Sequence, residues 1–237
     1  MIQFFAPDIT STFTLPEGES HHCVKVLRSQ PGDEIEVIDG KGYRHRCLLI
    51  EAHAKHAVVE IVESIALPLS WRYNLTVGVA PTKHLDRMEW LTEKLVEVGV
   101  NRIIPLLGDR SERKELKVER IEKIAVSAMK QSLKAVMPKI DEMTSIGKVI
   151  EQTASPQRYI CYCDDSVERH ELCKMLSPGL DTTILIGPEG DFSPREVQLA
   201  LQHNFTPVTL GDNRLRTETA ALYAASTVHI VNRLLDK

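Results

Sequence analysis

At 237 residues the chain is long enough for one large domain or two smaller ones, each with its own core. An apolar share of 43% is ordinary for a globular protein, no apolar run approaches the roughly 20 residues of a membrane span, and MIQFFAPDIT lacks the flank and stretch of a secretion signal. The net charge of −4 argues against coating nucleic acid by bulk electrostatics, and five cysteines without a CxxC pair encourage neither a disulfide framework nor a metal site, so a reduced, cytoplasmic protein is expected.

The first 70 residues read as strands with little helix. IQFFA, DEIEVIDG, YRHRCLLIEAH and AVVEIVES are short β-rich runs, separated by turns at PGD and GKG, and ESHHCVKVLRS reads as one short helix. Residues 1–70 are therefore expected to form a small β-barrel or β-roll, and ALPLSWR, with two prolines, a linker. From residue 73 to 237 strand and helix alternate. NLTVGVA, RIIPLLG, RYICYC, TTILIG and PVTLG are strands. HLDRMEWLTEKLVEVG is a helix ending at Gly99, with Leu85, Met88, Leu91, Leu95 and Val98 at helical spacing. Further helices are expected at about 117–135, at about 145–152, and after each of the later strands. Such alternation implies a mostly parallel sheet covered on both faces, with ligands beyond the carboxyl ends of its strands.

Charge is uneven along this grammar. From Arg110 to Lys139 there are nine Lys/Arg against four Asp/Glu, a balance of +5 that leaves −9 for the remainder. A solvated helix face laced with ion pairs accounts for this, and so does selective contact with phosphates. His21 and His22 lack a third ligand at suitable spacing and read as a packed or exposed pair.

Two turns stand out, GPEGDFSPREV (187–197) and LGDNRLRTETAALYA (210–224 with its helix start), each leading from a strand into a helix. Gly187 and Gly190 let backbone amides approach a ligand, and Ser193, Pro194 and Glu196 make an S-P-x-E capping box. In the second, Gly211 ends the strand, Thr217 or Thr219 caps the helix, and Leu215 and Arg216 have no local structural reason. The two are expected at the ends of neighbouring strands, forming one pocket. No GxGxxG follows the first strand and no GxxxxGK[ST] occurs, so dinucleotide-binding and P-loop readings fail.

GPEGDFS and LGDNRLRTETA resemble the two signature loops of SPOUT-class RNA methyltransferases, specifically the bacterial 16S ribosomal RNA uridine-N3 methyltransferase family, ribosomal RNA small subunit methyltransferase E. HHCVKVLR with GDEIEVIDGKG, KHLDRMEWLTEKLVEVGVNRIIPL, SERK and KQSLKAVMPKI are similar to its other blocks, in the same order. The resemblance implies a PUA-like, RNA-binding β-barrel over 1–70. It also implies an α/β SPOUT domain over 73–237 with a deep C-terminal trefoil knot, and a homodimer whose active site uses both subunits. The donor it implies is S-adenosylmethionine, cradled by Ile186, Gly187, Pro188, Glu189 and Gly190 on one side and by Leu210, Gly211, Leu215, Arg216 and Thr217 on the other. The resemblance also implies Cys163 and Asp164, after the preceding strand, as a third wall. Asp191 departs from the pattern, standing where a second glycine is usual; Lys130 and Lys134 stand where glutamate and arginine are usual.

Arg216 is the candidate for charge beside the developing uracil anion, and Glu218 or Glu189 for accepting the N3 proton or holding the loop. The target base must be unpaired or turned out, because N3 is a Watson–Crick edge atom. Lys25 and Arg28 of the barrel, with Arg110, Arg113, Lys130 and Lys134, are the candidate contacts to 16S RNA in the small subunit. Methylation of another ribosomal or transfer RNA nucleotide, and non-catalytic RNA binding in assembly, are the competing readings.

Overall fold

The protein, described here as a computed structural model over residues 3–164 and 166–235, divides into two compact units. In the first, the runs rich in β-branched residues form a four-stranded sheet in the order β1 (Gln3–Phe5), β2 (Glu34–Ile38), β3 (Tyr43–Glu51) and β4 (Val58–Ala66). The β1–β2 pair is parallel and the others antiparallel. Alternate residues Val37, Cys47, Leu49 and Val59 turn to one core with Phe4, Ile9, Leu15 and Cys23. After β1 and a short helix α1 (Ile9–Thr12), Thr14 bridges to Val58 on the opposite edge. That pairing closes the sheet towards a barrel and covers an edge. ESHHCVKVLRS folds as α2 (Glu17–His21) and a π-helical turn (His22–Val26), and His22 meets the Phe4 ring edge-on at 5.9 Å.

The second unit is an eight-stranded parallel sheet interleaved with helices. Its elements are β5 (Leu75–Val79), α3 (Leu85–Val98), β6 (Arg102–Leu107), the first half of α4 (Val118–Gln131), β7 (Lys139–Ile140), β8 (Thr144–Ser145) and α5 (Ile146–Gln152). There follow β9 (Gln157–Cys161), β10 (His170–Glu171), α6 (Leu172–Met175), β11 (Thr182–Ile186), α7 (Pro194–Gln202), β12 (Thr206–Thr209) and α8 (Thr217–Leu235). The strand order is β10-β12-β9-β11-β5-β6-β7, with β8 also on β6. Ile104, Leu106, Ile160, Leu185, Phe192, Val197 and Phe205 fill one core, each contributing about 1.5–3 kcal/mol by leaving water. On α3 the expected stripe holds at Met88, Leu91 and Leu95, whereas Leu85 and Val98 are half-buried at the helix ends.

Several expectations change. The strands feeding the two turns, β11 and β12, are not neighbours: β9 lies between them, paired with both. The helix expected to reach Ala135 stops at Gln131, because Leu133 takes a left-handed φ of 55°. Only β10 and the one-turn helix α6 follow β9, in place of a full crossover helix. Val126–Met137, expected in the second domain, packs with the first unit, where Gly42 N–H bonds to Ala135 C=O at 2.9 Å.

Candidate functional site

The carboxyl ends of β9, β11 and β12 open into one cleft of about 1680 Å³, larger than the roughly 300–1,000 Å³ that holds a single small ligand. Its walls are the stretch after β9, the turn 187–193 and the turn 210–216.

The 187–193 turn is held by its own sequence. Ser193 Oγ accepts from Glu196 N–H at 3.3 Å, and Glu196 Oε2 accepts from Ser193 N–H at 2.7 Å, so the expected capping box forms with Pro194 at the helix start. Glu196 also reaches the end of β6, its Oε1 accepting from Asp109 N–H at 2.9 Å, and Ser193 Oγ donates to Asp109 Oδ2 at 2.6 Å. The Arg110 guanidinium donates to the carbonyls of Gly190 (2.9 Å) and Phe192 (3.3 Å). Gly187 is required by close approach: a Cβ there would stand 3.1 Å from the fully buried Phe192 ring and 3.2 Å from its nitrogen.

The two turns meet directly. Thr217 Oγ1 donates to Gly187 C=O at 3.3 Å, so the hydroxyl expected to cap α8 ties the second turn to the first. Gly211, with φ 104°, allows the chain to leave β12. Residues 211–214 and Arg216 are exposed, and neither the Arg214 nor the Arg216 guanidinium has a hydrogen bond or ion pair among the described residues. Glu218, in the first turn of α8, is 7% exposed; its Oε1 faces Arg87 Nε at 3.7 Å and its Oε2 is buried without a hydrogen-bond partner among the described residues. A carboxylate oxygen in that state favours a donor or a cation arriving in the cleft. Glu189 is exposed and accepts from Lys83 N–H at 3.3 Å.

The third wall carries Tyr162, Cys163 and Asp164. Arg169 donates to the carbonyls of Tyr162 (3.1 Å) and Cys163 (3.0 Å), and Asp191 Oδ2 accepts from Cys163 N–H at 3.0 Å. Desolvation and the Asp191 carboxylate push the Cys163 thiol up, against the lowering effect of Arg169 and Arg214, and burial pushes Cys161 up. Both shifts disfavour the thiolate, the form that reacts as a nucleophile. Asp164 accepts from Ser166, a bond that holds its carboxyl below the ordinary range.

The sequence reading did not pick out Arg87, Arg169 or Arg214. Arg87 lies in the first turn of α3 between exposed Asp86 and buried Met88, a place where a charged residue carries no distinguishing signal. Of the candidate RNA contacts, Lys25 and Arg28 are exposed in the first unit. Lys130 is paired with Glu19 there at 2.8 and 3.0 Å, and Lys134 is half-buried in the same unit. In the second unit Arg113 donates to the carbonyls of Thr82 (3.1 Å) and Lys83 (2.7 Å).

The model of an RNA methyltransferase domain matches residues 70–229, and that of an RNA methyltransferase PUA domain matches residues 15–62. A ribosomal RNA small subunit methyltransferase E from Synechocystis sp. is 31% identical over 235 residues, covering 96% of this chain and 75% of the relative. The crystal structure of a probable rRNA-methyltransferase from Porphyromonas gingivalis is 43% identical, with a TM-score of 0.93 over 99% of each chain. A ribosomal RNA small subunit methyltransferase E from Neisseria gonorrhoeae, bound to S-adenosyl methionine, is 28% identical with a TM-score of 0.85 over 98% of each chain. With the cleft at the carboxyl ends of its strands and a family match over more than half its length, this chain belongs to the RNA methyltransferase domain family, with an attached RNA methyltransferase PUA domain.

Proposed function

We propose that this protein transfers a methyl group from S-adenosylmethionine to N3 of a uridine in 16S ribosomal RNA of the small subunit. The observation that carries the reading is the union of the two turns, Thr217 on Gly187, around a cleft holding a buried Glu218 oxygen and an Arg216 guanidinium, each without a hydrogen-bond partner among the described residues.

The residues present fit the cofactor. Ile186, Pro188, Leu210 and Leu215 offer apolar surface for an adenine ring, and the main chain at Gly187, Gly190 and Gly211 offers hydrogen bonds. Glu218 and Asp164 complement a cationic sulfonium. When bound, the cofactor supplies the electrophilic carbon; a nitrogen–carbon bond forms as the sulfur–carbon bond breaks. The protein orients the uracil in line, Arg216 stabilises the negative charge that develops on the ring and its carbonyls, and Glu218 takes the N3 proton. Glu218 is better suited than Glu189, which is exposed and already holds the Lys83 amide.

Exposed Lys25 and Arg28 in the PUA-like unit contact RNA phosphates; Arg110, Arg113, Lys130 and Lys134, each with an interaction inside the protein, add positive charge. The active form is a homodimer. Tyr223, Ile230 and Leu234 make an exposed apolar stripe along α8, and Trp90 is exposed on α3, which packs against it. The C-terminal segment is threaded as a knot, a reading supported by the path of α8 from β12, beyond β9 and β11, back to β5 and α3. No helix among the described residues is long and apolar enough to cross a membrane, and a cytoplasmic site of action accords with a ribosomal substrate.

Labelled methyl transfer to small subunits lacking the endogenous modification, with mass mapping of the product, tests this reading. The expected product is a single 3-methyluridine in 16S RNA. Another nucleoside overturns the acceptor, and cofactor binding without transfer overturns catalysis.

A further inference from the structure

Asp191 takes a φ of 62°, a conformation that favours glycine, and its side chain is used twice. Oδ1 accepts from the next amide, Phe192 N–H, at 2.8 Å, a local bond of the kind that lets aspartate occupy this region. Oδ2 spans 28 residues to accept from Cys163 N–H at 3.0 Å. The peptide groups at the exit of β9 are thereby gripped on both sides, their carbonyls by Arg169 and the Cys163 amide by Asp191. The turn itself does not depend on this contact, because the Ser193–Glu196 box and the bonds to Asp109 hold it.

We propose that Asp191 is a positioning residue that latches the 162–164 wall to the 187–193 turn and so sets the affinity of the cleft for S-adenosylmethionine. The proposal rests on the reading that this cleft binds that cofactor. An unlatched wall must be ordered when the ligand enters, and the ordering cost appears as weaker binding.

The test is calorimetric titration of S-adenosylmethionine into the wild type, Asp191→Asn and Asp191→Gly, with the alkylation rate of Cys163 followed by peptide mapping at about pH 8. Asparagine tolerates the left-handed backbone and its single amide oxygen keeps the Cys163 N–H bond while giving up the local bond from Phe192 N–H, whereas glycine keeps only the backbone. Asp191→Gly is expected to weaken binding about tenfold, as for loss of one charge-assisted hydrogen bond, while Asp191→Asn stays within about threefold. In steady-state assays Asp191→Gly raises KM for the cofactor by more than it lowers kcat. Both variants remove the carboxylate that helps hold the Cys163 thiol up, so both speed its alkylation. That readout reports the position of the carboxylate independently of binding. Wild-type affinity in Asp191→Gly, or equal loss in Asp191→Asn, overturns the latch and leaves the cofactor reading standing. Absence of binding by the wild type overturns both.

Discussion

The two turns that enclose the cleft are built in opposite ways. Residues 187–193 are held by a capping box, by Glu196 and Ser193 on Asp109, by Arg110 on two carbonyls and by the fully buried Phe192. Residues 211–214 are exposed, and the bonds at their start are those between Thr209 and Gly211. On the proposed function, a rigid wall sets the geometry of the donor, and a wall with few buried contacts adjusts as a nucleotide enters.

The widest break in this contrast is expected from paired truncations. Phe192→Ala should cost about 3–5 kcal/mol of stability in denaturant unfolding, whereas Leu215→Ala, from a half-buried position, should cost less than about 1.5 kcal/mol. Equal losses would erase the distinction between the turns. Arg216→Ala should leave stability within about 0.5 kcal/mol but lower single-turnover methyl transfer about a hundredfold, the size of effect seen when one stabiliser of a developing anion is removed. Normal turnover with unaltered cofactor affinity would remove Arg216 from the chemistry. Ser193→Ala removes the cap and the bond to Asp109 and should cost about 1–2 kcal/mol by thermal unfolding. The smallest effect sharpens the comparison from the other side: Arg214→Ala should change stability by less than about 0.5 kcal/mol, because its guanidinium is exposed and makes no hydrogen bond or ion pair among the described residues.

Much of the rigid turn was legible in the sequence. Serine, proline and glutamate at fixed offsets satisfy backbone donors within one helical turn, and no distant residue is needed to predict that. The open turn was legible through its chemistry, since Leu215 and Arg216 had no local structural use. Arg87 was hidden because its role depends on Glu218, 131 positions away in the chain by the numbering of the pair. Asp191 appeared in the sequence as a departure from the glycine pattern; its second bond, to Cys163, depends on β9 lying beside β11.

What the sequence determined by itself was therefore local: the β-rich first unit, the alternation of strand and helix after residue 73, the apolar stripe of α3 and the capping box of α7. Periodicity and capping are interactions within a few residues, so they survive reading along one dimension. Tertiary structure decided which strands adjoin. It placed β9 between β11 and β12 and drew Val126–Met137 into the first unit. Parallel pairing is made between segments far apart in sequence, through backbone groups that every residue shares, and side-chain pattern alone does not encode which partner each strand takes.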